Sequence, residues 1–367
     1  MRSISTHNHK RIDISLKDQI KKFAINSLYG FNTIILIGMG RKLGIFDYLY
    51  KKEKSELEGE SYSIVRFTPN ELSKNLSLDS THLDAWLHLA IECGIFEIDN
   101  TDKKSIKTAP YVYDLLIDPN NLSYVGGTLG AFYNIAPSQE IMLHNFKTGE
   151  GIDLLKLPGN IVKDLQERSR RFGSLIERLF TKLFIDFSSR LNINGMILEV
   201  GCGYGFNIET WARKHNNANF VGIEIDPKGI LAAKELVKQN KWKERITILQ
   251  ISLNDYAITT KDRFDLIILN QVLHEMDPDE NYRRKIFKDL YKLLKDDGIL
   301  LVGESMIPDL FEPQRKFQLF DITHKLFEAG SSRFYNEKTF KAFVESTPFT
   351  EAEFIEEGGT YFWTLRK

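Results

Sequence analysis

Residues 199–205 read Glu-Val-Gly-Cys-Gly-Tyr-Gly, a carboxylate followed by three glycines at alternate positions. They lie between the apolar run Met196-Ile197-Leu198-Glu199-Val200 and a stretch that places Ile208, Trp211 and Ala212 at helical spacing. A strand, a glycine loop and a helix let the backbone approach a ligand closely and offer it unpaired N–H groups at the helix start. A dinucleotide fingerprint would put its third glycine at position 206, where Phe206 stands. The acid ahead of the loop suits a positively charged ligand, which needs no phosphate cradle. A second run, Phe220-Val221-Gly222-Ile223-Glu224, ends in an acid that can accept both hydroxyls of a ribose, and Asp226-Pro227 caps the helix behind it.

The 199–205 segment resembles the first motif of class I S-adenosylmethionine-dependent methyltransferases, whose cofactor carries a sulfonium and an ammonium. The resemblance implies a cofactor loop of Glu199, Gly201, Cys202, Gly203 and Gly205, with Glu224 at the ribose and Ile225 also in the cofactor set. Later segments keep the family's order: residues 245–250 read as a third strand, 264–270 as a fourth and 299–302, after Gly298, as a fifth. Phe354-Ile355, a Gly358-Gly359 turn and residues 361–365 make a closing hairpin. The expected fold class is α/β, a Rossmann-like doubly wound seven-stranded methyltransferase sheet with an N-terminal helical winged-helix domain. Family members often hold the adenine with an acid after the third strand; Ser252 stands there, near Asn254 and Asp255, and Asn270 completes the implied cofactor set.

The chain as a whole is similar to the O-methyltransferases that dimerise through an N-terminal domain and methylate small hydroxylated compounds. In that family a Leu-His-acid segment bearing the catalytic histidine follows the fourth strand, and Leu273-His274-Glu275 stands there. Glu304 matches a carboxylate that orients this histidine. A second such carboxylate is usual after a Gly-Gly segment, where this chain has Ala329-Gly330-Ser331-Ser332-Arg333. The resemblance implies methyl transfer to a hydroxyl, with His274 as general base. Transfer to carbon or nitrogen by proximity, and a winged-helix regulator that senses S-adenosylmethionine, are the alternatives.

Other elements must position these groups. Ile20, Phe23, Ala24, Leu28, Ile35, Leu36 and Leu43 recur at helical spacing over 14–50, with a turn at Tyr29-Gly30, and the charged run 51–60 reads as a solvated loop. Thr68-Pro69-Asn70-Glu71 opens a helix by a capping box. A second helix over 81–93, a strand over 95–98, the turn Asp99-Asn100-Thr101-Asp102 and a strand over 105–108 predict a winged helix at 68–112. Asp79, His82, Asp84, His88 and Glu92 give its second helix an acidic face that a phosphate backbone repels, so packing or homodimerisation is the expected use. Three segments follow: a winged-helix dimerisation domain over 1–135, a helical linker with the substrate pocket over 136–190, and the cofactor domain over 191–367. Phe132, Tyr133, Met142 and His144, with Phe146, are the candidate walls of that pocket.

The 367 residues are 42% apolar and 27% charged, as in ordinary globular chains. Basic and acidic residues number 49 and 50, which argues against a nucleic-acid partner, and a small-molecule substrate is what the family resemblance implies. Cys93 and Cys202 lie far apart without ligand spacing, which predicts a reducing cytoplasmic setting. Asp277, Asp279 and Glu280 read as helix caps, so no metal is expected, and His7 and His9 receive no role. The apolar stretch 33–39, stopped by Arg41 and Lys42, reads as a buried helix, and no membrane span is expected.

Overall fold

In the computed structural model the described residues are 15–367 without 53, 57–61, 100–104, 122, 136–138, 153–161, 163–165, 167, 168, 310–318, 331, 358 and 359. His7, His9, the turn residues Asn100, Thr101 and Asp102, Ser331 and the Gly358-Gly359 turn lie outside them. The chain divides into two units between Asp118 and Pro119, earlier than the expected end at 135, so the helix Gly126–Ile135 belongs to the second unit.

The second unit is built on seven strands: β1 Met196–Val200, β2 Asn219–Glu224, β3 Ile246–Gln250, β4 Phe264–Asn270, β5 Leu294–Gly303, β6 Glu351–Glu357 and β7 Thr360–Arg366. Their order is β6-β7-β5-β4-β1-β2-β3, with β1 to β5 parallel and β7 antiparallel to both neighbours. All seven residues of β4 are buried, because helices cover both faces of a parallel sheet and a central strand has no solvent face. Alternation divides its side chains: Leu266 and Ile268 join a core with Trp211 and Phe180, and Ile267 and Leu269 join one with Phe287, Phe340 and Trp363. The sheet reverses its winding between β1 and β4, and such a switch point opens a crevice at the carboxyl ends of the strands. Glu199, Glu224 and Asn270 stand at those ends, with Asn270 in register with Gly303.

In the first unit, residues 16–42 form one continuous helical run, including a π-helical segment at Lys21–Ile25. The expected turn at Tyr29-Gly30 is absent, since Gly30 lies inside the helix Asn26–Lys42 with open space around it. By length and composition alone this run meets the requirements of a membrane span, contrary to the expectation from 33–39 considered in isolation. Leu16, Phe23, Leu28 and Phe31 on it are exposed. The capping box forms as read, with Glu71 N–H donating to Thr68 Oγ1 at 3.2 Å and Thr68 N–H to Glu71 Oε2 at 3.3 Å. Helices Pro69–Leu76 and Ser80–Glu92 lead to strands Phe96–Ile98 and Ile106–Thr108, and Arg66–Phe67 adds a third antiparallel strand. Part of the charged run pairs as well, Ser55–Glu56 with Ser63–Ile64, so it is not wholly a solvated loop.

Phe287 is fully buried and meets Phe340, Phe343 and Phe349 edge-on. Phe287→Ala should cost about 3–5 kcal/mol by cavity formation, measured by urea unfolding of the full chain.

Candidate active site

The glycine loop follows β1 directly, and Gly201, Gly203 and Gly205 have φ of 67°, 50° and 80°. Side chains avoid that left-handed region, which explains why every second residue here is glycine. A Cβ on Gly201 would also strike Val272, and one on Gly203 would strike the Gln166 side chain. The N–H groups of Gly201 and Cys202 donate to Ile223 O at 2.9 and 3.1 Å, which ties the loop to β2. Glu224 tightens the tie: its Oε2 accepts from Gly203 N–H at 2.8 Å, and its Oε1 accepts from Ile225 and Asp226 N–H at 2.7 and 2.9 Å. The carboxylate expected at the ribose is thus fixed before any ligand arrives.

Glu199 is buried and accepts from Asn207 Nδ2 at 2.7 Å through Oε1. Its Oε2 and the Oδ1 of Asn270 are buried without a hydrogen-bond partner among the described residues. Two unmatched acceptors at the carboxyl edge fit the cationic end of S-adenosylmethionine, because buried acceptors of this kind are costly unless a ligand meets them. Burial, with the nearby Glu224 charge, pushes the Glu199 carboxyl up to about 8. Cys202 is buried and the same desolvation holds its thiol protonated, so it packs and does not react. Ser252 is the N-cap of the helix Leu253–Thr259 and bonds to Asp255, while Ile225 is exposed beside Glu224.

Past β4 the chain turns sharply through Gln271, at φ 56°, into the short helix Leu273–Glu275. Glu304, just beyond β5, collects this turn: its Oε1 accepts from the N–H groups of Val272, Leu273 and His274 at 3.1, 2.7 and 3.4 Å. Its Oε2 stands 2.8 Å from His274 Nδ1. The imidazole stacks on Phe334 at 5.0 Å and is almost wholly buried. Its Nε2 faces Glu328 Oε2 at 3.5 Å and Glu275 Oε1 at 3.8 Å. Burial alone would lower the pKa of His274, but the charge and hydrogen bond of Glu304, with Glu275 and Glu328, raise it to about 9.

Glu328 was not a candidate in the sequence. It follows the helix Leu319–Phe327, accepts from Ser332 Oγ at 2.6 Å and pairs with His324 Nε2 at 2.7 Å. Its carboxyl lies well below the usual range: burial opposes this, but the His324 hydrogen bond and the charges of His324 and His274 prevail. Only i,i+4 spacing links His324 to Glu328, a signal too common to single them out. Gln166, over the glycine loop, gave no signal at all. Of the expected pocket residues, Met142 lines a cavity of about 150 Å³ with Asn145, Phe146, Glu150, Leu326 and Phe327. His144 does not: it is exposed and pairs with Glu150 at 3.4 Å, because its position on the helix Gln139–Thr148 faces solvent. Phe132 and Tyr133 are half-buried and are not among the residues lining that cavity.

Residues 198–300 match the family model described as a methyltransferase domain. The chain is 35% identical over 75 residues to a tRNA1(Val) (adenine(37)-N6)-methyltransferase of Haemophilus influenzae, covering 20% of this chain and 32% of that protein. It is 29% identical over 119 residues to the erythromycin 3''-O-methyltransferase of Saccharopolyspora erythraea, covering 32% of this chain and 37% of the relative. The chain therefore spans about a third of the length of these curated relatives. Human N-acetylserotonin methyltransferase, solved in complex with SAM, aligns over 96% of this chain and 99% of its own with a TM-score of 0.66 at 14% identity. An O-methyltransferase family protein from Burkholderia thailandensis covers 96% and 98% with a TM-score of 0.67 at 13% identity. Sheet, loop and domain match define a class I methyltransferase domain of the S-adenosylmethionine-dependent kind. Over nearly its whole length the chain has the fold of these O-methyltransferase structures.

An ionised Glu199 binds a cation better than a protonated one, so protons compete with the cofactor below about pH 8. S-adenosylmethionine affinity should rise by up to about tenfold per pH unit as pH 8 is approached from below and level off above it, with proton uptake by the buffer. Calorimetry in buffers of different ionisation enthalpy checks this, and Glu199→Gln should bind more weakly with a flat pH dependence.

Proposed function

We propose that this chain transfers the methyl group of S-adenosylmethionine to a hydroxyl oxygen of a small, largely apolar molecule, with His274 as proton acceptor. The observation that carries the reading is the Glu304–His274 pair at 2.8 Å. Glu304 accepts the Nδ1 proton, so the neutral ring keeps its lone pair on Nε2, at the carboxyl edge of the sheet. S-adenosylmethionine supplies the electrophilic methyl group. As the acceptor oxygen bonds to that methyl carbon, its proton passes to His274 Nε2, and the electrons of the broken carbon–sulfur bond stay on sulfur. Glu328 and Glu275 face the same nitrogen and stabilise the imidazolium that results.

The apolar cavity bounded by Met142, Phe146, Leu326 and Phe327 adjoins Glu328 in sequence and supports a compact apolar acceptor. Relatives named as O-methyltransferases support oxygen as the acceptor atom. The exposed apolar residues of Leu16–Lys42 support a homodimer, which would cover them. The cytoplasm is the compartment we favour, since Cys93 and Cys202 form no disulfide.

His274→Ala should lower turnover by about 10²–10⁴-fold with cofactor affinity nearly intact, read by steady-state kinetics and calorimetry. Because only the neutral imidazole accepts a proton and its pKa is raised to about 9, kcat/KM should climb with pH up to about 9. Glu328→Gln removes one negative charge facing Nε2 and should move that limb to lower pH. Light scattering at micromolar concentration should give a dimer mass, and Phe23→Glu with Leu28→Glu should give a monomer.

A further inference from the structure

His274, His324 and Glu328 each bring one donor atom to within 4.8 Å of the other two. The group is buried: the side chains of His274, His324 and Glu328 are 1%, 10% and 6% exposed. His274 Nε2 has no hydrogen-bond partner among the described residues and points at Glu328 Oε2, 3.5 Å away. Donors about 2.0–2.2 Å from a tetrahedral ion stand roughly 3.3–3.5 Å apart, so this pair already has the spacing of two ligands on one metal. The His274 and His324 rings meet at 83° with centroids 4.7 Å apart.

We propose that His274, His324 and Glu328 form a site for a zinc-like divalent transition metal, and that its occupancy switches methyl transfer off. Two imidazoles and one carboxylate suit zinc and not magnesium, which prefers oxygen donors. Three protein ligands leave a fourth position for water or the acceptor. Glu304 on Nδ1 supplies the carboxylate that metal-binding histidines usually carry on their other nitrogen, and Phe334 fixes the ring plane. Ser332 Oγ, 2.6 Å from Glu328 Oε2, holds the third ligand. Metal uptake exchanges the 2.7 Å His324–Glu328 hydrogen bond for coordination and releases protons, so metal and protons compete for the site. The switching half of the proposal rests on His274 as general base, because a metal on Nε2 occupies the lone pair that takes the hydroxyl proton.

Calorimetry with zinc sulfate on the EDTA-treated full chain should give a site of one ion per chain with micromolar or tighter affinity, and millimolar magnesium should give none. His324→Ala, His324→Gln and His274→Ala should each weaken it at least tenfold while S-adenosylmethionine still binds, which reports an intact fold. No zinc binding, or binding unchanged in all three variants, would overturn the site, the latter by placing the ion elsewhere, for example at the exposed His82–Asp79 or His88–Asp84 pairs. In turnover assays zinc should inhibit and EDTA should restore activity. A zinc-loaded enzyme with full turnover would overturn the switch and the base role of His274, whereas the calorimetric site would stand.

Discussion

One carboxylate holds the carboxyl edge of this sheet together. Glu304 accepts from three successive backbone N–H groups and pairs with the His274 ring, so a buried acid is matched by four donors around it. Without these donors the charge would be prohibitively costly in the interior, and without the charge the turn after β4 would leave its N–H groups unmet. The turn in turn covers the glycine loop, because Val272 packs where a side chain on Gly201 would have to go. The loop is pinned from its other side by Glu224. Strands β5, β4, β1 and β2 are thereby linked through their ends by two carboxylates, and disturbance at one should be felt across the edge.

The same charges set a conflict between geometry and basicity. Glu304, Glu275 and Glu328 surround His274, which fixes the ring but also favours its protonated form. Glu199 shows the opposite case, a carboxyl kept neutral by burial until a cation arrives. Both groups rest in the protonation state opposite to the one that the proposed cofactor binding and proton transfer require. A positive charge close to either group favours the other state: it ionises Glu199 and disfavours a proton on His274. The edge is therefore electrostatically incomplete in a way that a positively charged cofactor completes.

The glycine loop and the strands of the candidate site are legible in the sequence because backbone demands write themselves into residue types. Positive φ at positions 201, 203 and 205 requires glycine, and strands buried on both faces require unbroken apolar runs. Glu328 was hidden because it acts from outside the expected position. The resemblance places a carboxylate in the segment 329–333, yet Ser332 there is the donor that holds Glu328, which reaches His274 from just past the helix end. Gly30 misled for a related reason: glycine only permits a break, and the apolar residues on either side continue the helix through it. The pairing of Ser55–Glu56 with Ser63–Ile64 depends on backbone hydrogen bonds that a charged sequence neither demands nor forbids.

These differences follow a physical division within the site. The groups expected to hold the cofactor sit on strand ends whose positions are fixed by parallel register and a two-sided core, so small changes in side chains cannot move them far. The cavity side is built from the helix Gln139–Thr148 and the segment around 326–330, where several side chains are exposed and packing constrains less. A substitution at Met142 or Phe327 therefore alters the shape of that cavity without touching Glu224 or the glycine loop. Glu328 belongs to both sides, since it neighbours the cavity-lining Phe327 and Ala329 in sequence and faces His274 in space. Under the proposed reaction, a change in this segment that reshapes the cavity also shifts the charge around the His274 ring, so selectivity and pH dependence would be coupled through a single residue.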